Sequence, residues 1–139
     1  MRQKIGIIGY GVVGRAISYT LKSHYDLVKY DKYLELDPLS EVMNSDFVFI
    51  SVPTPFDCSL DRVDDSAIVE SLTELHNSKY EGIVIIKSTI PPGSCERYLD
   101  MFNLQLVFNP EFLRESTSPN EDFKNQETVV IGTDSEVKY

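Results

Sequence analysis

The segment Ile5-Gly6-Ile7-Ile8-Gly9-Tyr10-Gly11-Val12-Val13-Gly14 sets the spacing GxGxxG between an apolar run, Lys4 to Ile8, and a stretch with apolar residues at Val13, Ala16, Ile17 and Leu21. The run reads as a buried strand and the stretch as a helix over Val12 to Ser23. This junction constrains the fold because each glycine does something a side chain would obstruct. Gly9 makes the tight turn, Gly11 leaves room for a pyrophosphate against the backbone, and Gly14 lets the helix sit close to the strand. The helix N-terminus then offers free N–H groups and partial positive charge to phosphate. Leu27 to Asp31 reads as the next strand, and Asp31 stands 22 residues after Gly9, near the spacing of about 20 that dinucleotide sites use. An acid there accepts hydrogen bonds from both ribose hydroxyls and repels a 2′-phosphate. NAD is therefore favoured over NADP, although Lys32 beside Asp31 weakens the preference. Gly9, Gly11, Val12, Val13, Gly14 and Asp31 form the expected cofactor-binding set. A structural glycine corner with a solvated strand-end acid is the plainer alternative.

Further apolar runs follow at Phe47 to Val52, Gly82 to Lys87, Leu104 to Phe108 and Thr128 to Ile131. Between them, Asp64 to Leu75, with Asp64 or Asp65 as a cap, and Ser94 to Met101 read as helices. Continuous apolar strands alternating with helices predict an α/β, Rossmann-type, mostly parallel sheet with helices on both faces. The 139 residues suit one dinucleotide-binding domain, 1–139. Only 14 residues separate Asp31 from Asp46. A helix of about 10 residues and a strand of about 5 do not both fit there, so one edge element is expected to be reduced to a turn around Pro38 to Met43. Ser116 to Gln126 is polar and reads as a loop or frayed helix. Asp134 to Tyr139 looks like a helix interrupted after one turn, which suggests a longer relative.

The net charge of −9 argues against a nucleic-acid partner. No stretch approaches the roughly 18 apolar residues of a membrane span, and the N-terminus lacks the shape of a signal peptide. A cytoplasmic location is the default expectation. Cys58 and Cys95 lack metal-type spacing and read as free thiols. No metal site is expected.

Three segments lie after strands, on the rim where open α/β sheets bind ligands. They are Val52-Pro53-Thr54-Pro55, Lys87-Ser88-Thr89-Ile90-Pro91-Pro92-Gly93, and Asn109-Pro110-Glu111-Phe112-Leu113-Arg114-Glu115-Ser116. They bring hydroxyls and two carboxylates to one place. Glu111 and Glu115 would share a face if their segment were helical, and such a pair can move protons or orient water. Turn capping by Thr54 and Thr89, and a solvated helix face for the two glutamates, are the structural alternatives.

With these segments in view, the chain resembles the NAD-binding N-terminal domain of the UDP-glucose/GDP-mannose dehydrogenases. The resemblance rests on the glycine turn, on VPTPFD at Val52 to Asp57, on KSTIPPGS at Lys87 to Ser94, and on NPEFLRES at Asn109 to Ser116. It implies oxidation of the C6 alcohol of a nucleotide sugar, UDP-glucose first, with NAD as oxidant. GDP-mannose or a UDP-N-acetyl sugar are the alternatives within the family, and a nucleotide-binding module without catalysis is the alternative outside enzymology. Residue by residue, it implies that Asp31 holds the adenosine ribose, that Val52, Pro53 and Thr54 line the cofactor, and that Ser88 and Thr89 approach the nicotinamide. Thr89 would share a catalytic water with Glu115, the stronger acid/base candidate, and Glu111 would be the neighbouring catalytic carboxylate. Phe112, Leu113 and Arg114 would meet the sugar. The family's nucleophile is a cysteine in a later glycine-rich segment, and neither Cys58 nor Cys95 matches it. A lysine and an asparagine from central helices have no counterpart here either. The 139 residues by themselves are thus not expected to complete the oxidation. A full-length form is a candidate homo-oligomer.

Overall fold

The computed structural model describes residues 2–113 and 118–134. In chain order the elements are β1 (Lys4–Ile8), α1 (Val12–Leu21), β2 (Asp26–Tyr30), α2 (Leu39–Val42), β3 (Phe47–Ile50), β4 (Phe56–Asp57), β5 (Arg62–Val63), α3 (Ser66–Asn77), β6 (Ile83–Ile86), α4 (Ser94–Met101), β7 (Gln105–Phe108), α5 (Pro119–Lys124) and β8 (Gly132–Thr133). Six strands form one sheet in the order β2-β1-β3-β6-β7-β8. The first five are parallel, and β8 is antiparallel to β7. The chain leaves β1 toward one edge and returns to build toward the other, so the strand order reverses between β1 and β3. The crevice beyond the carboxyl ends of these two strands is where such sheets bind ligands.

Alternation along the strands sorts the core into two layers. Ile8, Val28, Val48, Ile50, Val84, Ile86 and Leu106 point to one face. There they meet Ile68, Leu72 and Leu75 of α3, spaced so that one helical stripe carries all three, and Tyr98 and Phe102 at α4. Ile5 and Ile7 point to the other face and pack on Ile17 of α1, with Val13, Phe47, Phe49 and Phe123 of α5 around them. Helices therefore cover both faces, as the alternating pattern predicts.

The short Asp31–Asp46 interval is resolved as expected. It holds one helical turn, α2, and no strand beyond β2. In place of a strand, Asp37 folds back on the edge of β2. Its N–H donates to Lys29 O at 3.0 Å, and its Oδ2 accepts the Lys29 N–H at 2.8 Å. One residue thus satisfies the outward N–H and C=O of Lys29, which a neighbouring strand would otherwise pair.

One local expectation needs correction, and two are narrowed to one of their alternatives. The strand expected over Thr128 to Ile131 is displaced to Gly132–Thr133. Val129, Val130 and Ile131 are exposed, and Val130 O accepts the Asn109 side-chain amide rather than a strand partner. The polar stretch after Ser118 forms a short helix, α5, because Phe123 docks into the core beside α1. The cap of α3 is divided. Asp65 holds the N-cap position but turns its carboxylate to Arg97 and Tyr98, while Asp64 Oδ1 accepts the Ser66 N–H at 3.0 Å. The β4–β5 hairpin has no apolar alternation to announce it. Asp57 Oδ1 closes its turn by accepting the Ser59 N–H and hydroxyl and the Leu60 N–H. Residues 135–139, expected to begin a helix, lie outside the described residues.

Candidate functional site

The glycine turn is held shut from three directions. Gly9 N–H donates to Tyr30 O at 2.9 Å, Ser51 Oγ donates to Gly9 O at 2.8 Å, and Tyr10 N–H donates to Asp31 Oδ2 at 2.8 Å. Gly9 has φ +90°, and a Cβ on Gly14 would lie 2.1 Å from Gly9 O, so strand and helix approach closely. Gly11 is different, since a Cβ there would meet nothing within 4 Å. Its lack of a side chain serves no packing need of the protein and leaves open space in front of α1. No side chain caps the α1 N-terminus at Gly11, so the first N–H groups of the helix remain available to an anion. Val12 is exposed there, whereas Val13 turns its side chain into the core.

Beside this turn lies a cleft of about 360 Å³. One wall carries Tyr30, Asp31, Lys32, Tyr33 and Leu39, and the other carries Ala67, Glu70, Ser71 and Glu74 of α3. Val52 and Pro53 close its end. Asp31 takes the Tyr10 N–H on Oδ2 and the Tyr33 N–H on Oδ1 at 2.9 Å. A carboxylate offers about four lone-pair directions, so each oxygen keeps one for a ribose hydroxyl while the backbone fixes its position. The residues fit a dinucleotide: an open Gly11, an uncapped helix start, and a fixed acid at the next strand end. Lys32 ion-pairs across the cleft with Glu70, Nζ to Oε1 2.7 Å, and its charge is not directed at the ribose position.

The second rim assembles from β3, β6 and β7. Thr54 Oγ1 donates to Thr89 O at 2.7 Å, and Ser88 Oγ donates to Val52 O at 2.7 Å. These bonds stitch the two loops together, so the Thr54 and Ser88 hydroxyls are engaged within the protein. Thr89 is exposed at the same rim. Asn109 N–H continues the ladder to Ile86 O at 3.0 Å.

Glu111 is placed in a way spacing did not reveal. Its side chain is buried against the Lys87 ammonium, with Nζ 2.9 Å from Oε2 and only 3% and 7% of the two side chains exposed. The contact is ionic, off the hydrogen-bonding directions of Oε2. Oε1 accepts the Phe112 N–H at 3.0 Å and the Gln126 amide at 2.6 Å. Lys87 Nζ also donates to Asn109 Oδ1 at 2.9 Å and faces the Phe123 ring. Residues 109–113 are not helical, so the described part of the Glu111–Glu115 segment lacks the geometry in which both would share a helix face. Phe112 is exposed and Leu113 half-buried. Arg114 and Glu115 lie outside the described residues. Cys58 is exposed on the hairpin, and burial pushes the Cys95 thiol pKa upward, which disfavours a thiolate there. Among the described residues no His/Cys/Asp/Glu cluster suits a metal, and no helix is long and apolar enough to cross a membrane.

Residues 32–139 match the UDP-glucose/GDP-mannose dehydrogenase family, NAD binding domain. The chain belongs to this family. The match begins at Lys32, after the glycine turn, so the turn and the family assignment support NAD independently. NAD is the cofactor of this dehydrogenase domain. Relatives include a UDP-glucose 6-dehydrogenase of Rickettsia conorii, 36% identical over 103 residues and covering 69% of this chain and 23% of the relative. Another, from Streptococcus pneumoniae, is 32% identical over 100 residues, covering 71% and 25%. The rat UDP-glucose 6-dehydrogenase is 36% identical over 106 residues, covering 67% and 21%. The chain thus spans about a quarter of the length of these relatives. Among solved structures, a reductive aminase from Aspergillus terreus in complex with NADPH and ethyl levulinate superposes with TM-score 0.54 at 13% identity, covering 79% of this chain and 41% of that one. A Thermotoga maritima flavo di-iron protein reaches TM-score 0.56 at 16% identity, covering 89% and 34%. At such identities the likeness is one of fold.

Proposed function

We propose that this chain is the NAD-holding domain of a nucleotide-sugar dehydrogenase, with UDP-glucose as substrate and UDP-glucuronate as product. The observation that carries the reading is the fixed pairing of Asp31 with the glycine turn, opposite an open Gly11. Asp31 holds the ribose hydroxyls, and the N–H groups at Val12, Val13 and Gly14 hold the pyrophosphate. Val52, Pro53 and the Thr54–Thr89 tie shape the channel toward the nicotinamide position. Bound NAD supplies the hydride acceptor. Thr89, exposed at the rim, is the residue of this domain that positions water or the sugar alcohol, and Glu115 is its proton-transfer partner. Glu111, ion-paired with Lys87, is the neighbouring carboxylate of the sugar site and fixes the start of the segment whose Phe112, Leu113 and Arg114 meet the sugar. The names of the relatives favour UDP-glucose over GDP-mannose or a UDP-N-acetyl sugar.

Calorimetric titration tests the cofactor site. Wild type is expected to bind NAD, and Gly11→Val to remain folded by circular dichroism while losing NAD binding, because the valine fills space the protein itself leaves empty. Equal binding by the two would refute the site. Sugar-dependent NAD reduction by the longest form of the protein, with UDP-glucose, GDP-mannose and UDP-N-acetylglucosamine in parallel, tests the substrate. Reduction with GDP-mannose alone would overturn the UDP-glucose reading.

A further inference from the structure

The two walls of the nucleotide cleft touch through one ion pair. Lys32, next to the ribose-facing Asp31, reaches over to Glu70, with Nζ 2.7 Å from Oε1 and 3.0 Å from Oε2. Lys32 is the single cation among the described residues lining this cleft, against the carboxylates of Asp31, Glu70 and Glu74. Glu70 faces the cleft because α3 carries two stripes. Ile68, Leu72 and Leu75 are buried, while Ala67, Glu70, Ser71 and Glu74 recur at helical spacing on the adjoining side and line the opening. Each Asp31 oxygen takes one backbone N–H, from Tyr10 and Tyr33, and Lys32 Nζ pairs with Glu70 rather than with Asp31. The hydrogen bond to Glu70, and then its charge, push the Lys32 pKa upward, so the ammonium stays charged where it is held.

We propose that Glu70 sets the preference of this domain for NAD over NADP by holding Lys32 away from the ribose 2′ position. The proposal rests on the NAD-binding reading above. A 2′-phosphate would bring between one and two negative charges to a site already lined by three carboxylates, and it needs a cation as partner. Lys32 is adjacent, carries three donors on a flexible stem, and is the one cation among the described residues lining the cleft. Both Glu70 oxygens accept from that ammonium and hold it on the α3 side of the cleft. The pair is half-exposed on both sides, 54% and 55%, and pairs of that kind contribute little to folding. Its placement at the cleft mouth gives it a different effect, on which cofactor enters.

Wild type, Glu70→Gln, and the double variant Lys32→Met with Glu70→Gln are titrated with NAD and with NADP, each checked for folding by circular dichroism. In Glu70→Gln, NADP affinity is expected to rise roughly tenfold, the scale of one charge-assisted hydrogen bond to phosphate. NAD affinity is expected to change by less than about threefold, as for a lost surface pair. The double variant is expected to lose the gain. An unchanged NADP-to-NAD ratio in Glu70→Gln overturns the proposal, and so does a gain that survives Lys32→Met. Wild type that binds no NAD overturns the parent reading, a result separate from an unchanged ratio.

Discussion

Asp31 joins local structure to function within one side chain. Through Tyr10 it fixes the glycine turn, and through Tyr33 it fixes the loop after β2, so the groups that receive the two halves of the nucleotide are positioned relative to each other before any ligand arrives. Asp31→Ala removes the ribose acceptor together with this tie. NAD binding is expected to weaken by about 1–2 kcal/mol, the range for lost hydrogen bonds to a charged group, read as a five- to thirtyfold rise in Kd by calorimetry. An unchanged Kd would place the ribose elsewhere. Sequence spacing pointed to Asp31 because the distance from a glycine turn to the next strand end is set by one helix and one strand. It was silent on Tyr10 and Tyr33, whose contributions are backbone N–H groups that any residue supplies.

At the scale of elements, the loops after β3, β6 and β7 are joined by side chains, of which Thr54, Ser88 and Glu111 were expected at the ligand and Lys87 was not. Thr54 and Ser88 donate to backbone carbonyls of the neighbouring loop, and Lys87 reaches from the end of β6 to Glu111 beyond β7. The Lys87–Glu111 pair is the buried ionic one among these ties, and breaking a buried pair leaves an uncompensated charge. Lys87→Met is expected to lower unfolding stability by about 3–5 kcal/mol in urea titration, and adding Glu111→Leu is expected to recover much of that loss. Equal losses in the single and double variants would show that the ammonium acts through packing alone. Strands β1, β3, β6 and β7 were legible because they are continuous apolar runs, and so was the missing edge strand, because 14 residues set a hard length limit. The shift of β8 to Gly132–Thr133 was not legible. Val129, Val130 and Ile131 have strand composition, but pairing at β7 is decided by which backbone groups Val107 and Phe108 leave free. The partnership of Lys87 and Glu111 was hidden as well, since residues 24 apart in sequence meet only because β6 and β7 are neighbours.

Over the whole molecule, two buried tyrosines contribute to the response to alkali. Burial is the main cause that pushes the pKa of Tyr80 upward, and the same holds for Tyr98, where Asp65 adds to it. Tyr80 Oη donates to Ser45 O at 2.9 Å, joining the loop before β6 to the turn before β3. A folded-state pKa above the unfolded value of about 10 means the unfolded chain releases the proton first, so stability is full below that pH and lost as pH rises past it. Cys95, also shifted upward by burial, acts on the same side. Melting temperature is expected to stay level to about pH 8 and to fall above about pH 9 to 10, with a shallower fall in Tyr80→Phe. A fall of equal steepness in that variant would shift the cause to other groups. The fold-back of Asp37 onto Lys29 also bears on the molecule as a whole. A strand laid along β2 would have to displace both of those hydrogen bonds. The outer edge of β2 is therefore blocked at Lys29 against pairing with another strand.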